Sequence, residues 1–504
     1  MKMAKSLMLG TAAGFVALTG AQAADLPVKA KAVEYVKICS LYGAGFYYIP
    51  GTDTCIRIGG AMRIDTSING SIYDAPYWQG GANGANSYNR DYFQTRSRLN
   101  LFVDTRTATE YGVVRTYANL QFDWTRGREN IAGGFIENDF LFIQFAGFTF
   151  GKAVSQFDPQ WALAKPYITS GFLAGSNNAT GINQLAYTAS FGNGVSATIS
   201  LEDAQPYRSA GVINAGAGLQ SVLGPFGAAS PGYGTSANTF LGNAQLGDHV
   251  PDIVGNIRVD QAWGSLHFGA AAHEVHGTYY TSTDSSSGKP DATWGFAVTG
   301  AFELKNLPTG VGDSLKVEAT FANGAAKYVF GGTYDTAGGG RFAKVGDGGM
   351  AFGYVLDGVY AGTSGANGTK IHKSDAWDVS AYYEHYWNPA WRTSVFGSYS
   401  KISFGSSGDA LLLAMANGGR LNTGATNATG SFDLSVAQIG TRTAWTPVQN
   451  LTLSAEFIYT RLDQNLSGTF TSAGTGVPGY ANGTTFRLKD QSLYNGSVQI
   501  LRSF

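Results

Sequence analysis

Charged side chains recur at every second position near the N-terminal end of the mature sequence. Arg57, Arg63 and Asp65 share one parity over 55–66; Gln94, Arg96, Arg98, Asn100 and Asp104 share one over 90–106; Arg115, Tyr117, Asn119, Gln121 and Asp123 share one over 110–126. Arginine stays protonated at physiological pH, so such rows build a fixed electric field, not a proton relay or a nucleophile. Covalent chemistry finds no support, because neither a G-x-S-x-G elbow nor a G-x-x-x-x-G-K-[ST] loop occurs. His273-Glu274-Val275-His276 is not an H-E-x-x-H pair, and on a strand its two histidines point to opposite faces and cannot share a metal. His267 and His273 share a parity but stand about 20 Å apart along a strand. Gly338-Gly339-Gly340 has no helix after it to cradle a phosphate. No catalytic residue, cofactor or metal ligand is therefore expected.

The elements that carry these charges are strands. Opposite each charged parity stands an apolar one: Ile56, Ile58, Met62 and Ile64; Phe93, Leu99, Leu101 and Val103; Val114, Leu120, Phe122 and Trp124. The same alternation runs through 314–321, 377–384 and 451–459. Sandwich strands average about 5–6 residues, whereas strands that cross a bilayer need about 9–11, and most of these are of the longer kind. Sixteen strands are predicted, near 55–66, 90–106, 110–126, 136–145, 148–153, 183–191, 195–203, 253–262, 264–275, 292–304, 313–323, 376–386, 391–402, 431–445, 450–463 and 486–504. Short connectors alternate with long Gly-, Ser-, Ala- and Asn-rich ones such as 204–252 and 324–375. That is the pattern of a barrel with tight turns at one rim and large loops at the other.

Composition agrees. Of 504 residues, 44% are hydrophobic, 13% aromatic and 14% charged, and 69 are Gly. The only long apolar run is at the extreme N-terminus, which excludes a helical polytopic membrane protein. A formal net charge of −1 excludes a nucleic-acid binder. Residues 1–23 read as a secretory signal peptide: Lys2 and Lys5, the apolar run Leu7 to Leu18, and the small-x-small site Ala21-Gln22-Ala23. Export makes Cys39 and Cys55 a disulfide pair, closing a hairpin-like part of the 24–54 segment and worth roughly 3 kcal/mol in the chain-entropy view. The strand 486–504 ends on Phe504, with Val498 and Ile500 on its parity and Arg502 as a departure tolerable near a rim.

The stretch Val36 to Gly60, VKICSLYGAGFYYIPGTDTCIRIGG, resembles the N-terminus of the alphaproteobacterial outer-membrane porin family. Phe145-Ala146-Gly147-Phe148 with Phe150-Gly151-Lys152 is similar to the strand–turn–strand before the inward-folded loop of general porins, and a terminal Phe resembles the assembly signal of outer-membrane barrels. The resemblance implies an all-β, 16-stranded antiparallel transmembrane barrel over 55–504, assembled as a homotrimer. It would stand among outer-membrane lipid and lipopolysaccharide after delivery to the barrel assembly machinery. It would be a diffusion channel for small hydrophilic solutes in the outer membrane of a Gram-negative bacterium, and it implies no nucleic-acid partner. It further implies that the third loop, about 154–182, folds into the lumen. That loop carries Asp158 and Lys165, with Lys152 at its start. Arg63, Arg96 and Arg98, with Arg115 on the neighbouring strand, are expected on the wall facing Asp158 across a narrow gap, making a transverse field. The alternative is that these arginines solvate the wall and pair with Asp65, Asp104 and Asp123. Rival functions are a solute-specific uptake barrel, for example for sugars, an outer-membrane hydrolase, and a secreted all-β adhesin.

Overall fold

Where apolar and polar residues alternate, strands form, and sixteen of them join edge to edge. A computed structural model of the chain describes residues 37–69, 92–125, 135–168, 172, 175–177, 180–204, 208–216, 249–281, 284–331, 340–418, 424–472 and 480–504. The expected signal peptide, 1–23, and the start of the 24–54 segment lie outside these. The chain divides into two units, 1–56 and 57–504. In the first, Cys39 and Cys55 are joined by a disulfide, and Tyr47 and Tyr48 pair antiparallel with Ile56 and Cys55. Phe46 is buried with the two cysteines.

The barrel strands are β1 Thr54–Ile68, β2 Phe93–Thr109, β3 Gly112–Thr125, β4 Phe135–Phe145, β5 Phe148–Ala153, β6 Ile182–Gly192, β7 Val195–Glu202 and β8 Asp252–Gln261. They continue as β9 Gly264–Val275, β10 Thr293–Lys305, β11 Ser314–Asn323, β12 Asp375–Asn388, β13 Trp391–Ser403, β14 Gly424–Val448, β15 Leu451–Ser472 and β16 Gln491–Ser503. Each pairs antiparallel with the next, and β16 returns to β1 through Ala61↔Ser503 to Ile68↔Gly496, so the sheet closes. Closure removes every free edge, which a bilayer requires. All sixteen expected strands are present. The structure lengthens two, since β14 and β15 run 25 and 22 residues, and separates Thr485–Leu488 from β16.

Turn chemistry fixes the short rim. Ala146-Gly147 and Asn193-Gly194 have positive φ at both central residues (49° and 87°; 49° and 73°), the twist that suits a two-residue hairpin. A Cβ on Gly194 would lie 1.9 Å from the Asp260 carbonyl oxygen, so only glycine fits. The terminal residue seals the seam: the Phe504 N–H donates to the Gly60 carbonyl and the Gly60 N–H to the Phe504 carbonyl, both at 3.0 Å.

The outer surface is apolar. Ile58, Met62, Ile64, Leu141, Ile143, Ile199, Phe268, Val395 and Ile439 are all exposed, while the alternate positions point inward. Trp263, Trp387 and Trp391 are exposed near the short turns, and Trp294 and Trp377 near the long loops. Two such levels match the aromatic girdles of a membrane barrel. Arg502 lies on the outward parity at the short rim, where its guanidinium donates to the Gln449 carbonyl.

Several loops turn inward. The described residues of loop 154–181 lie across the lumen, and Ala210, Ile213 and Ala215 of the fourth loop join the inner core. Less expected, the described residues of 324–374 also fold in, with a hairpin over 340–355, and pack Met350, Phe352, Tyr354 and Val355 on the inward residues Leu434, Val436 and Leu462 of β14 and β15. The helix α1 Gly405–Asn417 adds Leu412, Met415 and Ala416 to that core.

Candidate functional site

Period-2 alternation sets the lumen wall. On β1–β3, Arg57, Arg63, Arg96, Arg98 and Arg115 all share the inward parity with their acids. Arg63 Nε donates to Asp65 at 2.7 Å. Arg96 donates to the other Asp65 oxygen through Nη2 at 2.7 Å and Nε at 3.0 Å. Arg98 forks onto Asp123 at 2.6 and 2.7 Å, and Arg115 forks onto Asp104 at 3.0 and 3.0 Å. Bidentate pairing holds the Arg98 and Arg115 guanidinium planes rigid against the wall. Lys152, on β5, donates to the Asn138 carbonyl at 2.5 Å beside Glu137 and Asp139.

The third loop is tied on both sides. At its start Glu202 accepts from Ser155 Oγ at 2.6 Å and from the Gln156 N–H at 2.8 Å, and His267 meets the Phe157 carbonyl at 2.8 Å. Further along, Lys165 pairs with Glu318 at 2.8 Å, both side chains being buried. Ser394 Oγ donates to the Pro166 carbonyl at 2.7 Å, and the Ile168 N–H donates to Glu456 at 2.5 Å. Trp161 and Phe172 of the loop are buried against Tyr382, Phe396 and Ile458, and Tyr167 packs on the same cluster. An apolar seat plus buried ion pairs leaves this loop few alternatives to its place across the lumen.

The structure brings Arg63, Arg96 and Arg98 together around Asp65 and Asp123. Arg63 also reaches the loop, donating from Nη2 to the Ile168 carbonyl at 2.9 Å. Asp158 lies elsewhere: it pairs at 2.6 Å with Arg208 of the fourth loop, and both side chains are buried. Arg208 stacks over Tyr328 and Phe157, so the loop's one acid is locked into the inner core. The arginines' partners are instead the wall acids Asp65, Asp104 and Asp123. Two further wall acids, Glu137 and Asp139, accept from Gln121 and Asn100, and the alternation hid them. A bulge between Asn119↔Phe140 and Leu120↔Asn138 makes Asp139 an extra residue and switches the parity of β4.

Exposure differs around the lumen. The Arg63, Arg98 and Arg115 side chains keep 23%, 13% and 28% of their surface, whereas Glu318 keeps 1%. Water therefore reaches Arg63, Arg98 and Arg115 on the β1–β3 wall and, towards the short turns, Arg392 and Arg442 on β13 and β14 (22% and 13%), whereas around Glu318 the third loop fills the lumen. Towards the short turns, Phe102, Tyr117 and Phe142 form a row of stacked rings at 6.2 and 5.3 Å, with Arg57 over Phe102 and Arg115 over the other two.

Residues 25–497 match the family described as the Porin subfamily. Porin Omp2b of Brucella suis biovar 1 (strain 1330) is 31% identical over 271 residues, which is 52% of this chain and 64% of that protein. Porin Omp2b of Brucella abortus (strain 2308) matches over the same shares at 31%. The aligned part thus covers just under two thirds of these relatives' length. Among solved structures, the outer membrane channel DcaP of Acinetobacter baumannii superposes with a TM-score of 0.56 at 13% identity, covering 91% of this chain and 99% of that one. That likeness speaks for the fold. A closed sixteen-strand barrel with an apolar exterior, matched to one family over nearly its whole length, has one place to be: the chain belongs to the porin subfamily, in the outer membrane of a Gram-negative bacterium.

Proposed function

We propose that this porin is a passive, water-filled channel for small hydrophilic solutes and ions, working as a homotrimer and not as an enzyme. One observation carries the reading: a wall bearing Arg63, Arg98 and Arg115, clamped by acids of the same wall, stays in contact with water beside a third loop seated dry on Glu318. Seven cations (Arg57, Arg63, Arg96, Arg98, Arg106, Arg115, Lys152) face five acids (Asp65, Asp104, Asp123, Glu137, Asp139) among the described residues of β1–β5. Near-balance of this kind favours weak selectivity, with a lean towards anions. Lipopolysaccharide would surround the aromatic girdles, and the barrel assembly machinery would read the strand ending at Phe504. Liposomes carrying the purified protein should swell in neutral sugars, more slowly as the sugar grows; swelling no faster than protein-free liposomes would refute the reading.

A second reading rests on the aromatic row Phe102–Tyr117–Phe142. Half-exposed ring faces flanked by arginines suit solutes with one flat apolar face. Saturable block of ion current by one sugar class, lost in Tyr117→Ala, would favour a solute-specific barrel.

A further inference from the structure

The chain has six histidines, and two of them meet where strand register brings them together. In the β8–β9 ladder Ile253 stands opposite Ala272. Continued past its end, the same register sets His249 opposite His276, with Glu274 two residues back on the same face. That face is the outer one, shared with the exposed Leu266 and Phe268. Glu274 pairs across β10 with Trp294 of the long-loop girdle, so the three residues sit at head-group height.

Their geometry is not that of an ordinary ion pair. Both Nδ1 atoms approach the same oxygen, Glu274 Oε2, at 3.7 Å from His249 and 3.9 Å from His276. Those separations are too long for hydrogen bonds. They lie close to the spacing of about 3.4 Å expected between two ligands each about 2.0–2.1 Å from one tetrahedral ion. The imidazole rings are 4.6 Å apart, and all three ligand atoms lie within 4.8 Å of one another. Glu274 Oε2 is buried and accepts no hydrogen bond among the described residues. Among the described residues a cavity of about 600 Å³ lies beside the trio, also bounded by Asp203, Val250 and Pro251.

We propose that His249, Glu274 and His276 bind a first-row divalent transition metal, Zn²⁺ in preference to Ca²⁺ or Mg²⁺. Two imidazole nitrogens and a carboxylate oxygen suit the borderline cations, whereas Ca²⁺ and Mg²⁺ want all-oxygen shells. The protein supplies three ligands, and the fourth position opens to the cavity, where water completes the shell. The ion would pin the end of the fourth loop, at His249, to the barrel wall. Its visible absorption makes Co²⁺ the probe, and Zn²⁺ the competitor. Tag-free, folded porin in detergent should bind one Co²⁺ per chain with four- or five-coordinate visible bands that Zn²⁺ abolishes. His249→Ala, at an exposed position outside the strands, should weaken binding at least about tenfold and remove the bands. Glu274→Gln should do the same, while His372→Ala, on another loop, should not. Co²⁺ binding of equal strength in His249→Ala, or no visible bands in the folded parent protein, would overturn the proposal.

Discussion

Consider Arg98→Ala. The Arg98 guanidinium forks onto Asp123, so truncation removes one positive charge and leaves one carboxylate facing the lumen. Asp123 keeps an amide donor, Gln121 Nε2, at 3.4 Å, which still holds it in place. For an ion passing about 7 Å away in water, one unit charge is worth about 0.6 kcal/mol, falling to about 0.3 kcal/mol with screening at 0.15 M salt. That raises cation and lowers anion occupancy by about 1.5-fold each, so the cation/anion permeability ratio rises about twofold. At ten-fold lower salt the lengthened Debye screening distance should make the change larger. Reversal potential across a salt gradient in a planar bilayer measures it, with Arg98→Lys as the charge-retaining control. A reversal potential identical to that of the parent at both salt levels would refute the placement of Arg98 on the conducting side.

Four other outcomes follow from the same geometry. Glu318→Gln leaves Lys165 buried without its counter-charge, a loss of about 3–5 kcal/mol to the seat of the third loop, and should raise conductance noise in single-channel records. Gly60→Ala puts a Cβ 2.4 Å from the Asn100 carbonyl oxygen and 2.8 Å from the Phe504 ring, so the seam should not close and the heat-modifiable folded band on gels should be lost. Cys39→Ser with Cys55→Ser should cost the N-terminal unit about 3 kcal/mol, seen as faster proteolysis of that unit with conductance unchanged. In the turn before β11, Asp313 accepts from Thr309 Oγ1 at 2.6 Å, His385 Nδ1 at 2.7 Å and the Tyr386 N–H at 2.9 Å. Against the desolvation of burial, these donors hold its carboxyl well below the ordinary carboxylate range. Its stabilisation is therefore complete above that range and lost as pH falls towards the folded value, and Asp313→Asn should flatten the acid limb of the unfolding curve.

Much of this molecule is written in a period of two. The outward Ile58, Met62 and Ile64 and the inward Arg63, Arg96, Arg98 and Arg115 follow from parity alone, because a strand switches faces at every residue. Parity fails where a bulge inserts a residue, and so Glu137 and Asp139 escape notice. Pairings between loops leave no periodic trace either: Asp158 meets Arg208 fifty positions away, through the interlocking of the third and fourth loops. Segment 324–374 reads as a Gly-rich surface loop, yet Tyr328, Phe352 and Tyr354 are buried on inward Leu434 and Val436, a dry side that alternation cannot announce. His249 and His276 are likewise 27 residues apart and converge only through the β8–β9 register.

Planar-bilayer recording with the purified protein tests the central claim most directly. Stepwise, ohmic conductance increments arriving in threes, carried by water and ions along the β1–β5 wall, are the predicted result. A folded, membrane-inserted protein that leaves the bilayer as resistive as lipid alone would contradict it.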